Sequence, residues 1–585
     1  MIESVGLDNT TALLFGVFAI LCLWFAFVRG NAFLMFFQQE EYDNPRFVVW
    51  LKEKRAYDIT ATIVLIAAII ASAMTQSDTA SESLNTAART LIPFAIATTA
   101  MIAGVLRSYS TSRNNKKPLV VTDRVKRIRY IYLLLLLGLL VAFLYVATLA
   151  PFGAHYSLTI EDDPSGWFDT FRFLNASYDW RLTALLALTI VLVQLLPFLI
   201  IAANKILEPA EERVKAKFRA EAAEKFNRLK PTVIAITGSF GKTSTKHILA
   251  HIMDAAAPTI ATPGSVNTEM GITRIIREKL TEQHQYFIVE MGAYGPGSIA
   301  RLCRLTPPNV ALVTAVGAAH YERFKTLETV AKAKFEIAEA AFAQGGQAVI
   351  NADGIEEKLR LERMQAVPGD YTVVGKEGDV RLIDYNMTKQ GLVISVADKD
   401  GEHTLKAPIF GQHQAENILM AAVTARAVGL PWSAIKGALA SLPQIRFRLE
   451  VSQSAGSPTI INDAYNSNPI GFAGALECLD VLVEQEGRRI LVTPGMVELG
   501  ALHDSEHARL GALAAKHADI VCVVTPDRIP TFVKGLEGAN NGQTTVMQFA
   551  TQEDAETWVK NNWRAGDAVL FENNLPDLYE ATVKF

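Results

Sequence analysis

The chain has 585 residues, half of them apolar, and a formal net charge of -4. That length exceeds what one core can hold and calls for about three or four domains. The near-neutral charge gives no basis for nucleic-acid binding. The four scattered cysteines (Cys22, Cys303, Cys478, Cys522) include no CxxC pair, so they point to neither a disulfide framework nor a zinc site.

The apolar excess falls in the first third. Five runs are long enough to consider as membrane spans: 11–28, 59–74, 90–106, 131–150 and 182–203. The first lacks a basic leader and a small-residue cleavage site, so it reads as a span rather than a signal peptide. Lys and Arg crowd the loops after the first span (Arg46, Lys52, Lys54, Arg55) and after the third (Arg107, Arg113, Lys116, Lys117, Arg124, Lys126, Arg127, Arg129). The other two loops are poor in basic residues. The positive-inside rule then places the N-terminus outside and everything after the fifth span in the cytoplasm. The expectation is a multi-pass protein of the inner (plasma) membrane, with the lipid bilayer as a partner.

Residues 31–55 mix aromatics (Phe33, Phe36, Phe37, Phe47, Trp50) with charges. They read either as an interfacial helix at the headgroups or as part of a site for a membrane-borne substrate. No charge falls inside a span, so a transporter or proton relay has no support. Residues 205–230 carry dense charge of both signs and read as a solvated linker helix.

From residue 231 apolar runs alternate with helical segments. Strands are expected at 232–237, 286–290, 310–314 and 347–351, which makes a mostly parallel sheet. Thr237-Gly238-Ser239-Phe240-Gly241-Lys242-Thr243-Ser244-Thr245 follows the first strand and opens a helical segment. Strand, Gly-rich turn, Lys-Thr and helix form the layout of a phosphate cradle. Lys242 would reach the β/γ-phosphates and the Thr243 hydroxyl a Mg²⁺ ion. The Gly-x-x-Gly-Lys-Thr spacing is shorter than the usual motif, and the plain alternative is an ordinary Gly-rich turn. In such sheets ligands bind at the carboxyl ends of strands, where Glu290, His320, Asn351 and Asp353 fall. Taken singly, Glu290 is a strand-end carboxylate and His320 a hydrogen-bonded loop histidine.

A second α/β pattern starts near Arg446, with strands expected at 459–462, 489–492, 520–524 and 568–571. Asn466 to Pro469 suit a turn and helix start. His503-x-x-Glu506-His507 matches a zinc-protease spacing, but the match is short and no third ligand is evident. The domains expected are therefore 1–204 (membrane), 205–230 (linker helix), 231–445 (central, ATP-binding) and 446–585 (C-terminal). The fold class is an α-helical membrane domain followed by two α/β domains: a central P-loop ATPase-type sheet and a Rossmann-like C-terminal domain.

The ordered set of motifs resembles the Mur ligase family from about residue 231 onward. It comprises Thr237 to Thr245, Glu290-Met291-Gly292-Ala293, Val316-Gly317-Ala318-Ala319-His320, Ala331 to Ile337, Asn351-Ala352-Asp353-Gly354, Gly411 to Asn417, and Asp463 to Pro469. Within the family the pattern is most similar to members that add D-alanyl-D-alanine to a UDP-linked tripeptide. The resemblance implies ATP and two magnesium ions as cofactors. Gly238, Ser239, Gly241, Lys242, Thr243 and Ser244 would hold the phosphates. Thr243, Glu290, His320 and Lys334 would serve the metals, Lys334 as a carbamoylated lysine. His413 and Asn417 match adenine-contacting positions, and Gln414 stands where relatives commonly have Asn. Arg448 and Asp463 would close the C-terminal domain on ATP. Tyr465, Asn466 and Asn468 would lie near the acceptor, and the loops at 493–500 and 572–577 resemble those lining the amine side.

The implied activity is ATP-dependent amide-bond formation in peptidoglycan precursor synthesis at the cytoplasmic membrane face. A carboxylate, UDP-linked or lipid-linked, would be joined to an amino acid or dipeptide. Soluble members carry an N-terminal UDP-sugar domain where this chain has apolar spans, so the chemistry transfers better than the substrate. The alternatives are a ligase for another polymer such as poly-γ-glutamate, and a non-catalytic membrane scaffold. The intact set of Lys242, Thr243, Glu290, His320 and Lys334 argues against the scaffold.

Overall fold

A computed structural model describes residues 9–75, 86–113, 118–149, 180–317, 324, 326–454, 456–464, 468–497 and 499–573. The chain divides into two compact units, with the boundary between Arg213 and Val214.

Among the described residues, the regular elements of the first unit are all helices. Its helices are α1 (Asn9–Gln39), α2 (Asn44–Glu53), α3 (Ile59–Thr75), α4 (Thr86–Arg113), α5 (Asp123–Leu149) and the first part of α6 (Trp180–Leu229). Four of these are long and apolar enough to cross a membrane: α1, α4, α5 and α6. The fifth apolar helix, α3, has 17 residues and spans roughly 26 Å at 1.5 Å per residue, at the short end for a ~30 Å hydrocarbon core. The outward faces are as apolar as the inward ones: Leu13, Ile20, Ile63, Leu106 and Val141 are all more than half exposed. A patch of that kind in water is a liability, whereas lipid tolerates it.

Two expectations for this unit are corrected. The segment 31–55 does not present its aromatics at an interface. Instead α1 runs on to Gln39, and Phe33, Phe36, Phe37, Phe47 and Trp50 are buried together. Trp50 stacks on Phe36 at 4.6 Å and on Phe47 at 5.5 Å. The pattern hid this because a 31-residue helix outlasts its obviously apolar first half.

The second correction concerns buried charge. Arg29 lies in the long apolar helix α1 and is 1% exposed, and it pairs with Asp58, which is 4% exposed. Asp58 also caps α3, its carboxylate accepting from Ala61 N at 3.1 Å. Gln194 of α6 donates to Asp58 O (3.2 Å) and to Thr62 Oγ1 (2.7 Å), tying α6 to α3.

In the second unit, six parallel strands form a sheet in the order β2-β3-β1-β4-β5-β6. They are β1 (Thr232–Thr237), β2 (Thr259–Ala261), β3 (Tyr286–Glu290), β4 (Val310–Val313), β5 (Gln347–Asn351) and β6 (Tyr371–Val374). Helices α7 (Lys242–Asp254), α8 (Glu269–Glu278), α9 (Ser298–Leu305), α10 (Leu327–Phe342) and α11 (Glu357–Ala366) connect them. Strand β1 lies between β3 and β4, so the chain leaves it in one direction and returns on the other side. That reversal opens a crevice at the carboxyl ends, where open α/β sheets bind ligands.

An antiparallel three-stranded sheet follows, β7 (Arg381–Thr388), β8 (Gly391–Asp398) and β9 (Gly401–Ala407), then α12 (Gln412–Ala427) and α13 (Trp432–Ala440). The C-terminal sheet has the order β10-β11-β15-β12-β13-β14. Its strands are β10 (Glu450–Ser452), β11 (Thr459–Asp463), β12 (Arg489–Thr493), β13 (Ile520–Val524), β14 (Thr545–Phe549) and β15 (Ala568–Glu572). All pair in parallel except β10, antiparallel at the edge. Helices α14 (Pro469–Leu482), α15 (His503–His517), α16 (Pro530–Ala539) and α17 (Gln552–Asn562) complete it. All four cysteines are buried and unpaired. Burial pushes the Cys303 and Cys522 thiols up to about 12.

The buried Arg29–Asp58 pair gives a stability prediction. Arg29→Met alone leaves Asp58 uncompensated and costs about 3–5 kcal/mol. Adding Asp58→Leu recovers most of that, leaving about 1 kcal/mol for the lost cap. Melting temperatures of the detergent-solubilised chain check this, since a double variant as unstable as the single one contradicts it.

Candidate active site

Strand β1 ends at Thr237 and the chain turns through Gly238 to Gly241 into α7. Gly241 has φ +80°, and a Cβ there would sit 2.5 Å from Asn417 Oδ1. Only glycine meets both demands. A Cβ at Gly238 would collide with the Thr314 hydroxyl. The turn is clamped to the loop after β4. Ser239 Oγ donates to Gly317 O (3.0 Å) and accepts from Gly317 N (2.8 Å), and Thr314 Oγ1 donates to Phe240 O. The N-terminus of α7 therefore faces the crevice with a fixed cradle of backbone N–H groups.

Lys242 folds over this turn, donating to Gly238 O at 2.6 Å and Ser239 O at 3.3 Å. Burial lowers its pKa from the usual lysine value, opposed by Glu290 and reinforced by Arg448 and Lys246. Ser244 is buried in the first turn of α7.

Glu290 ends β3, next to Ile236 of β1, and is 1% exposed. Its Oε2 accepts from Thr243 Oγ1 (3.0 Å) and from Lys246 Nζ (2.9 Å), and its Oε1 accepts from Asn267 Nδ2 (3.3 Å). Hydroxyl and carboxylate oxygens thus meet beside the cradle, donor types that a hard cation such as Mg²⁺ takes. Among the described residues no group of three His, Cys, Asp or Glu side chains forms a metal cage.

Lys334 projects from α10 and is 5% exposed. Burial first, and the Lys242 charge second, push its ammonium well below the usual lysine range. Its helix is keyed in place by Glu336, whose carboxylate accepts from Gly297 N (2.7 Å) and Ala300 N (2.9 Å) at the start of α9. A carboxylate there also suits the positive end of that helix. His320 lies outside the described residues, as do Tyr465 and Asn466.

At the junction with the C-terminal part, Asn417 donates to Gln414 Oε1 (2.9 Å) and accepts from Thr245 Oγ1 (3.1 Å). Its amide braces the cradle, and Gln414 completes that brace. His413 lies against Gly411 and Gly474, and burial and the Arg448 charge lower its pKa to about 4. Phe447 and Leu449, on either side of Arg448, both have left-handed backbones (φ +60° and +50°). Such residues cost about 1–3 kcal/mol each and persist only where the surroundings hold them. Here Phe447 N donates to Glu450 Oε2 (3.0 Å) and Leu449 N to Asp463 Oδ1 (3.2 Å). Arg448 acts electrostatically on Lys242, Lys246, His413 and Asp463. Asp463 is aligned with Glu572 of β15, and burial raises its pKa. Asn468 caps α14, its Oδ1 accepting from Ile470 N (3.2 Å) and Gly471 N (3.0 Å).

Comparison with known proteins gives the family. A Mur ligase middle-domain model matches residues 236–425, and a Mur ligase glutamate-ligase-domain model matches 447–572. The UDP-N-acetylmuramoyl-tripeptide–D-alanyl-D-alanine ligase of Mycobacterium bovis is 32% identical over 360 residues, covering 58% of this chain and 69% of that protein. The chain belongs to the Mur ligase family. The Escherichia coli ligase of the same name is 34% identical over 293 residues, covering 49% of this chain and 63% of that protein. Among solved structures, MurF from Thermotoga maritima in complex with ADP superposes with TM-score 0.54 at 28% identity, covering 63% of this chain and 82% of that one. MurF from Acinetobacter baumannii gives 0.53 at 25%, covering 63% and 78%.

Two residues of this Mur ligase site escape a reading of motifs alone. Lys246 lies four residues beyond Lys242, on the same face of α7. His507 belongs to the apparent zinc motif. It is fully buried, its Nε2 accepts from Met496 N (3.0 Å), and its Nδ1 lies 2.7 Å from His503 O. The imidazole is thus neutral with its proton on Nδ1, and it holds the loop after β12. Both of its nitrogens are taken, so the spacing serves that loop.

Burial pushes the His507 pKa from 6.5 down to about 4. Its folded pKa lies below its unfolded one, so the unfolded chain binds the extra proton between those values. The stabilisation is complete above pH 6.5 and is lost as pH falls toward 4, by on the order of 2 kcal/mol. His507→Gln keeps an acceptor for Met496 N but cannot titrate. The expected result is a flatter stability profile between pH 4 and 6.5, measured by denaturant unfolding.

Proposed function

We propose that this Mur ligase is an ATP-dependent amide ligase that joins a peptide-precursor carboxylate to D-alanyl-D-alanine. The reading rests on one observation: Lys242, Thr243, Glu290 and the buried amine of Lys334 share the crevice at the carboxyl edge of the central sheet. The names of the relatives, each a UDP-N-acetylmuramoyl-tripeptide–D-alanyl-D-alanine ligase, support the choice of acceptor.

The chemistry divides into two displacements. A carboxylate oxygen attacks the γ-phosphorus of ATP, the bond to the ADP oxygen breaks, and an acyl phosphate forms. The dipeptide amine then attacks the acyl carbon, phosphate leaves with the C–O electron pair, and the amine gives up a proton. The cradle of N–H groups from Gly238 to Thr243 orients the phosphates. Lys242 swings from the loop carbonyls onto the transferring group, where a fixed cation counts for more than in water. Thr243, Glu290 and His320 would hold a magnesium ion, which would supply further neutralisation of phosphate charge. Burial lowers the pKa of Lys334, which favours the free amine that attacks CO₂ with loss of a proton, and the resulting carbamate would supply the carboxylate-like ligand for a second ion. Arg448 and Asp463 would close the C-terminal domain on ATP, excluding water from the acyl phosphate. His413 and Asn417 lie toward the adenine, and Tyr465, Asn466 and Asn468 toward the acceptor.

The apolar outer faces of α1, α4, α5 and α6, with the shorter α3 as a fifth span, support a bilayer anchor with the N-terminus outside and the ligase part in the cytoplasm. On this reading residues 1–204 are the membrane domain, 205–230 the linker, and 231–445 and 446–585 the two ligase domains. Tethering raises the local concentration of a membrane-borne donor, which favours a lipid-linked carboxylate beside the UDP-linked one.

Phosphate release from ATP by the detergent-solubilised chain should require both a UDP-linked or lipid-linked tripeptide and D-alanyl-D-alanine. Lys242→Ala should lower turnover by on the order of 10²–10³-fold without loss of folding. Release with glutamate as acceptor and none with the dipeptide would move the assignment to another polymer. ¹³C-labelled bicarbonate should give a carbamate carbonyl resonance that vanishes in Lys334→Arg; its absence from the parent protein would leave Lys334 as a plain amine.

A further inference from the structure

Lys246 is fully buried at the centre of the site, and neither the nucleotide motif nor the proposed mechanism gives it a task. Its ammonium donates to Gly264 O and, at 2.9 Å, to Glu290 Oε2. Both Lys246 and Glu290 are 1% exposed, so water screens neither charge. The same Oε2 accepts from the Thr243 hydroxyl. The proposed cation position, between Thr243 and Glu290, therefore lies within a few ångströms of a fixed positive charge. Lys242 stands one helical turn away on the same face, and like charges at that spacing repel unless each has its own acceptor. Here each does: loop carbonyls for Lys242, and Glu290 with Gly264 for Lys246.

We propose that Lys246 is a resident counter-ion of Glu290 that keeps the site weak for a free divalent cation, so that the cation is retained only together with nucleotide phosphates. The inference rests on the reading of Glu290 as a magnesium ligand. Without the cation, Lys246 neutralises a carboxylate that burial would otherwise leave uncompensated. With a divalent cation alone, the ammonium repels it at short range through a low-dielectric interior. With the nucleotide present, the phosphate charges outweigh that repulsion. A metal that entered and left with the nucleotide would not be trapped in the empty enzyme between turnovers. Lys246 is a positioning residue in this account, acting on the cation through Glu290.

The test is a titration of the full detergent-solubilised chain with Mn²⁺ alone, no nucleotide present, reading free Mn²⁺ by electron paramagnetic resonance. Lys246→Met removes the charge at similar length, and its affinity for Mn²⁺ should rise by about tenfold or more, one decade being what about 1.4 kcal/mol of lost repulsion gives. Lys246→Arg keeps the charge and should bind as weakly as the parent. Should Lys246→Met fail to fold, Lys246→Gln also removes the charge while leaving a donor for Glu290, and the same tightening is expected. Unchanged or weaker Mn²⁺ binding in the neutral variants overturns the proposal. Adding Glu290→Gln to Lys246→Met separates the two readings. Loss of the tightened binding places the cation on Glu290. Persistence overturns the assignment of Glu290 as a ligand, and the counter-ion role with it.

Discussion

A carboxylate moved out of water costs several kcal/mol unless donors replace its lost hydration. Glu290 recovers those donors from three residues on two separate pieces of chain: Thr243 and Lys246 on α7, and Asn267 in the loop after β2. Each of these is itself tied down. Asn267 accepts from Tyr294 OH (2.8 Å), and its carbonyl accepts from Gly292 N (3.0 Å). The phosphate cradle, the edge loop and the end of β3 are therefore fixed to one another through a single charge. Remove that charge and the three segments lose their common reference.

The two halves of the chain differ in what their surfaces carry. In the ligase half, the central strands are buried on both faces between helices, and the exposed surface is left mostly to polar residues. In the helical half both faces are apolar, so burial no longer tells inside from outside. What distinguishes the interior there is aromatic stacking and a few polar ties: Arg29 to Asp58, Gln194 to α3, and Tyr132 OH to Ala26 O at 2.7 Å. A buried ion pair is weak evidence for stability but strong evidence for a specified arrangement in an otherwise greasy bundle.

Much of the central sheet was legible. β1, β3 and β5 are apolar runs bounded by turn residues, and they form where expected. β2 was not, because three residues carry no period. The β7–β9 sheet was missed because β7 has few buried residues and its pattern is mostly polar. Lys242, Thr243 and Glu290 could be read from spacing and strand ends. Lys246 could not, since its role depends on a carboxylate 44 residues away. His507 was visible but misleading: the residues that make a zinc motif also suit a histidine on one helix reaching back to a loop. Arg29 fell outside the expected span because the apolar run 11–28 stops one residue short of it, whereas α1 continues to Gln39.

The burial of all four cysteines carries a practical consequence. At neutral pH a thiol pushed up to about 12 is almost wholly protonated, and the thiolate is the reactive form. The native chain is thus silent toward maleimide and disulfide reagents while folded. A cysteine introduced at an exposed position becomes the sole reactive handle on the molecule, so spin labels, fluorophores or topology probes can be attached one at a time without first stripping the natural thiols from the core.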